Sequence, residues 1–203
     1  MRRILTTLVA LAMLVVGARS ASALPSWMQE GKSGRWMFNL KLGPAITAKN
    51  FESIPNHFTA GSIILEMGVA VDRKYNAYII LPVPQFQVDS NFGYFSWVML
   101  PFGFQYDIPL LPHKIPGLYI YPRATIGYAA LVPNGGGDTQ NFGFVELAFG
   151  GKFIFAKRWN VGFEIFSLPI FFGQFCAGGN VANACTTETF VSYRLLWYGG
   201  VNF

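Results

Sequence analysis

Seven charged residues, Lys41, Glu66, Arg123, Glu146, Lys152, Glu164 and Arg194, constrain this chain more than any other feature of it. Each lies in a stretch whose apolar residues recur at every second position, and each falls on the opposite parity. Around Arg123, for example, Ile120, Ala124, Ile126 and Tyr128 alternate with Tyr119, Tyr121 and Thr125. A period of two is the mark of a strand whose faces meet different surroundings. Lipid demands that the apolar face exclude charge this strictly, because Lys or Arg at mid-membrane costs ~2–4 kcal/mol. If the charged parity met bulk water, it should carry far more charge and less Gly, Ala and Met. Four basic and three acidic residues instead suit a narrow interior where they pair. A soluble lipocalin-like barrel with its apolar face inward is the alternative, and it fits this pattern poorly.

Composition points the same way. Charged residues make up 12% of the chain, against roughly 25% in a typical soluble domain. Hydrophobic residues reach 52%. Yet no stretch beyond the first residues approaches the ~20 continuous apolar residues of a membrane helix. The best candidates, Ala77–Phe86 and Trp97–Phe104, are short and contain Pro82, Pro84 and Pro101. Such a chain enters lipid as strands. The net charge of +5 includes Arg2, Arg3 and Arg19 near the start, and no basic run points to nucleic acid.

Met1-Arg2-Arg3, the apolar run Ile4–Gly17 and Ala21-Ser22-Ala23 have the three regions of a secretory signal peptide. Residues 1–23 are therefore expected to be cleaved after Ala23, leaving a short tail over 24–33 and one barrel domain over 34–203. Export takes Cys176 and Cys185 into an oxidising compartment, where they are expected to pair as a disulfide. Without a local His cluster they do not suggest zinc, and no metal or cofactor is expected.

Alternation predicts eight strands: Arg35–Gly43, Gly61–Val71, Ala77–Val88, Tyr94–Tyr106, Leu118–Ala130, Phe142–Ala156, Val161–Phe172 and Phe190–Phe203. Their lengths run close to, or slightly over, the ~9–11 residues of a tilted crossing. Pro44–Ala60, Leu131–Asn141 and Gly173–Thr189 read as long polar loops, whereas Asp72–Asn76 and Lys157–Asn160 read as tight turns. Asp89–Gly93 is too short and Asp107–Gly117 too long for strict alternation. The glycines at 135–137 form no phosphate cradle, because no Gly-Lys-Ser/Thr follows them. The fold class expected is an all-β, eight-stranded antiparallel up-and-down transmembrane β-barrel, preceded by a cleaved signal peptide.

The closing strand, ending Val201-Asn202-Phe203, resembles the C-terminal signal of bacterial outer-membrane barrels. With the leader, the eight strands and the tight turns, the whole mature chain resembles the small barrels of the OmpA and OmpX type. That resemblance implies insertion in a Gram-negative outer membrane, with loops outside and both termini periplasmic. It implies contact with outer-membrane lipid and lipopolysaccharide, and Phe203 as a signal read by the barrel assembly machinery. It does not settle activity, because one superfold hosts many functions.

An eight-stranded barrel has an interior that side chains fill, so the seven charges read first as a paired, plugging network. This favours a structural role, or recognition of an unnamed extracellular ligand through the outer loops. A narrow gated channel is one alternative. A lipid-modifying acyltransferase is another: palmitoyl-transferring barrels use a His in the first outer loop and an Asp-Ser pair in the second, and His57, Asp89 and Ser90 occupy similar places. Pro82, Pro84, Pro101, Pro122 and Pro169 would open a lateral gap to lipid in that reading, or else mark bulges and strand ends.

Overall fold

The computed structural model describes residues 35–49, 57–72, 76–89, 95–133, 139–156, 158–176 and 185–203, with only the backbone described at several strand ends. Ten strands form: β1 (Trp36–Lys49), β2 (His57–Ala70), β3 (Ala77–Leu81), β4 (Gln85–Asp89), β5 (Phe95–Tyr106), β6 (Ile108–Pro109), β7 (Leu118–Pro133), β8 (Gln140–Phe155), β9 (Trp159–Cys176) and β10 (Cys185–Asn202). Every pairing is antiparallel. β3 and β4 both lie between β2 and β5 and make one interrupted strand, while β6 pairs only with β7 beyond the end of β5. The sheet closes through β1–β10, giving a barrel eight strands around with no free edge along its wall.

Apolar side chains face outward along the wall: Ile126 is 61% exposed, Leu147 58% and Trp197 53%. Charge faces inward. This inside-out distribution is the physical signature of a wall standing in lipid, so the chain crosses the membrane by its strands.

Several predicted boundaries move. The predicted loop Pro44–Ala60 is largely strand, because alternation continues past Pro44 and Ala45 pairs with both Ala60 and Arg194. Likewise β9 runs on to Cys176 and β10 starts at Cys185, so the predicted loop Gly173–Thr189 is mostly a ribbon. Asp107–Gly117 is not wholly a turn: Asp107 is buried inside and Ile108–Pro109 adds two ladder residues.

Two extra residues reset the side-chain parity. Between Ile80↔Gly103 and Gln85↔Met99 the third strand gains one residue around Pro82-Val83-Pro84. As a result Tyr78 and Ile80 point inward, as do Gln85 and Gln87. Unbroken alternation would instead place Tyr78 and Ile80 with outward Phe86 and Val88. In β9 the register slips between Glu164 and Phe166 against both neighbours. Ile165 and Phe166 then both face out, and Ser167 turns in. Such a bulge bends its strand and re-aims the side chains beyond it. The Tyr193 hydroxyl donates to the Ile165 carbonyl at 2.6 Å beside it.

The short connections are tied by backbone bonds. Asp72 Oδ1 accepts from the Asn76 and Ala77 amides at 2.7 and 2.9 Å, which folds the β2–β3 turn back on itself. Around that end the Ala70 amide donates to Arg35, Asp107 to Asn76, Ile154 to Gly117 and Asn202 to Arg158, through their carbonyl oxygens. One continuous rim results.

Candidate functional site: the charged lumen

β1, β2, β7, β8, β9 and β10 each send at least one charged side chain inward, and all seven predicted residues are buried in the lumen. Six of them form a middle layer. Lys41 pairs with Glu66 at 2.8 Å and also with Glu164. Arg123 sits at the centre, paired with Glu66, with Glu146 at 2.8 Å and with Glu164 at 3.3 Å. Arg194 reaches Glu146 at 2.6 Å. Neutral donors take further carboxylate lone pairs: Asn39 Nδ2 on Glu66 at 2.9 Å, the Tyr121 hydroxyl on Glu164 at 3.0 Å, and Thr125 and Ser167 on Glu146 at 3.1 and 2.7 Å. A buried charge is tolerable only when paired and hydrogen-bonded in this way.

The seventh residue, Lys152, lies nearer the short-turn end and pairs there with Asp107. Asp107 accepts from Gln105 Nε2 at 2.8 Å as well. The Lys152 ammonium also stands 5.3 Å from the Tyr78 ring centroid and 5.9 Å from that of Tyr119. With Asp107 the lumen carries four acids and four bases among the described residues, so its formal charges cancel.

Toward the opposite end the lumen becomes apolar and aromatic. Trp97 stacks on Phe171 at 4.2 Å and meets Phe142 and Phe190 edge-on at 5.1 and 5.7 Å. Met99, Ala129, Leu131 and Phe144 complete the cluster. Beside it, Gln87 donates to Thr47 and Thr47 to Ser192, at 2.7 and 3.1 Å. Trp97, on the interior parity in the sequence, is 3% exposed. Among the described residues no group of three or more His, Cys, Asp or Glu side chains is placed to hold a metal.

No protein-family model and no curated protein matches the chain. Among solved structures it is similar to Neisserial surface protein A, at a TM-score of 0.60 and 10% identity, over 84% of this chain and 99% of that one. The N-terminal barrel domain of Pseudomonas aeruginosa OprF matches at a TM-score of 0.40 and 14% identity, over 85% of this chain and 100% of that one. Ail of Yersinia pestis matches at 0.40 and 10%, over 86% and 99%. The fold is that of the small outer-membrane β-barrels.

Within the barrel the other predicted residues that are described lie toward its two ends. His57 is not in a loop: it is the first residue of β2, opposite Ala48. It belongs to the ladder because β1 and β2 keep pairing past Pro44 and Gly61. Asp89 ends β4 opposite Ala60, at the same end of the barrel as His57. Ser90, the predicted leader over 1–23 and the predicted tail over 24–33 lie outside the described residues. Cys176 and Cys185 face each other as direct backbone partners across β9 and β10. Phe203 stacks on Phe38 at 5.5 Å, and it exchanges two backbone hydrogen bonds with Trp36.

Asp107 and Ser167 are the residues that sequence reasoning missed. Asp107 precedes a Pro-rich segment and reads as turn, although the alternation Phe102, Phe104, Tyr106 already places it on the inward parity. Ser167 is on the wrong parity until the bulge is known, and its sequence carries no sign of that bulge.

Proposed function

We propose that the protein is an outer-membrane surface barrel without catalytic activity, whose lumen is sealed and whose role is structural or one of recognition through the long connections. One observation carries this reading. The strongly charged side chains of the wall are turned inward and neutralise one another, and an aromatic cluster fills the lumen beyond them. An ion path needs sites that bind weakly enough to release. Each charge here instead has a protein partner within direct contact, so entry of an ion would have to break a buried pair.

In this reading the leader is removed after Ala23, the rim of short turns and both mature termini face the periplasm, and the long connections face outward. Lipopolysaccharide surrounds the outer half, and the barrel assembly machinery reads Phe203. Cys176 and Cys185 form a disulfide near the tip of the β9–β10 ribbon. The similar Neisserial protein is by name a surface protein, and surface exposure is carried over from it as part of the proposal.

Planar-bilayer recording tests the seal. The refolded wild-type barrel is expected to be silent, and Glu146→Ala, which unbalances Arg123 and Arg194, is expected to give intermittent conductance. Steady wild-type channels would overturn the sealed reading. Protease treatment of intact cells tests orientation: cleavage within 50–56 or 177–184 is expected, and cleavage confined to the short turns would reverse it.

A further inference from the structure

The rim of short turns is basic where it meets the lipid boundary. Arg35 precedes β1, Arg158 lies in the β8–β9 turn and Lys114 in the β6–β7 turn, and all three are exposed. The backbone bonds Arg35–Ala70, Gly117–Ile154 and Arg158–Asn202 fix their segments into the same ring. The acid described on that rim, Asp72, has its Oδ1 engaged by two turn amides. Among the described residues, the strand ends at the opposite end of the barrel carry Asp89 and Glu188 against Lys49. Among the described residues, the basic sign therefore belongs to the short-turn end.

That end also carries the side chains that mark a membrane–water boundary. Trp159 is 57% exposed, Phe203 54% and Tyr106 43%, and Trp36 and Phe155 are half-buried beside them. Aromatic residues with a polar edge settle at headgroup depth. Exposed Arg and Lys next to such a belt stand at the level of lipid phosphates. Arg there can present two N–H groups to one phosphate, while Lys acts as a point charge.

We propose that Arg35, Lys114 and Arg158 form a phosphate-binding girdle that retains anionic phospholipids around the short-turn end of the barrel. The ligand class is a glycerophospholipid with net negative charge, such as phosphatidylglycerol, in the leaflet that this rim occupies. Free phosphate shares the chemistry but lacks the acyl chains that the apolar wall covers, so the surface commits to the lipid. The proposal rests on the transmembrane reading and on the orientation proposed above, in which this rim lies at the periplasmic, phospholipid leaflet.

The test is lipid retention in native mass spectrometry. The full barrel is refolded into bilayers of phosphatidylcholine with phosphatidylglycerol, extracted in mild detergent and compared with Arg35→Gln/Lys114→Gln/Arg158→Gln. Wild type is expected to keep phosphatidylglycerol in preference to phosphatidylcholine. Each cation removed should lower that preference by about fivefold, the scale of one Lys or Arg at an anionic surface. Equal retention of the two lipids by wild type, or an unchanged preference in the triple variant, would overturn the girdle. Heat-modifiable migration of both proteins is read in parallel: a barrel that migrates as folded but shows no preference refutes the girdle alone, whereas failure of wild type to insert refutes the transmembrane reading.

Discussion

Lys152 on β8 and Asp107, between β5 and β6, form an ion pair inside the lumen, both side chains at most 1% exposed. The pair supplies the fourth acid that balances four buried bases. Removing one partner from a buried pair leaves a charge without compensation, at a typical cost of about 3–5 kcal/mol. Asp107→Ala is therefore expected to lower urea stability by that amount in detergent micelles. Asp107→Leu with Lys152→Met should recover most of it, because the orphan charge is gone. A double variant as unstable as the single would show that the pair is not the unit of stabilisation.

Glycine spacing gives a sharper geometric test. A Cβ on Gly43 would lie 1.9 Å from the Leu195 carbonyl oxygen, which belongs to the β10 backbone and cannot swing aside. On Gly61 the same atom would meet nothing within 4 Å. Gly43→Ala is expected to reduce refolding yield severely, and Gly61→Ala to leave it unchanged. The readout is the folded fraction by gel mobility without heating.

Phe203 joins a side-chain stack to a backbone clasp. Phe203→Ala keeps both hydrogen bonds to Trp36 and removes the stack on Phe38, an aromatic pair worth about 0.5–1.5 kcal/mol beyond area burial. Stability of the refolded barrel should drop by roughly that amount. Insertion in cells should fall much further if the aromatic is also an assembly signal. Equal, small losses in both measurements would count against the signal.

The ribbon register predicts the thiol state. Directly opposed residues on antiparallel strands have Cα atoms about 4.5–5.5 Å apart, within the span that a disulfide bridges. Cys176 and Cys185 are so opposed. Denatured, unreduced protein is expected to react with no thiol reagent. Cys176→Ser/Cys185→Ser should still fold, since the ribbon there extends past the β1–β10 and β8–β9 ladders.

Acyl transfer is tested directly with labelled phospholipid and lipid A. Wild type, His57→Ala and Ser90→Ala are all expected to show no transfer. Turnover by wild type that either substitution abolishes would replace the non-catalytic reading with an enzymatic one.

Much of the architecture was legible in the residues. Alternation from Trp36 to Leu42, Leu118 to Ala130 and Phe142 to Phe155 identifies strands because a period of two has one structural source, and a face without charge has few environments besides lipid. Strand ends were less legible. Pro44 and Gly61 read as breakers, yet the pair sits opposed within a continuing ladder, where neighbouring strands supply what local propensity lacks.

What the sequence by itself determined is the sidedness of these charges: Lys41, Glu66, Arg123, Glu146, Lys152, Glu164 and Arg194 share one interior and avoid lipid. Who pairs with whom belonged to the tertiary structure. Partners such as Arg194 and Glu146 lie on different strands, and their meeting depends on register and barrel closure, which one-dimensional alternation does not encode. Ser167 reaches Glu146 only because one extra residue in β9 reverses the parity after Glu164. A bulge is a relation between strands, and no strand carries it alone.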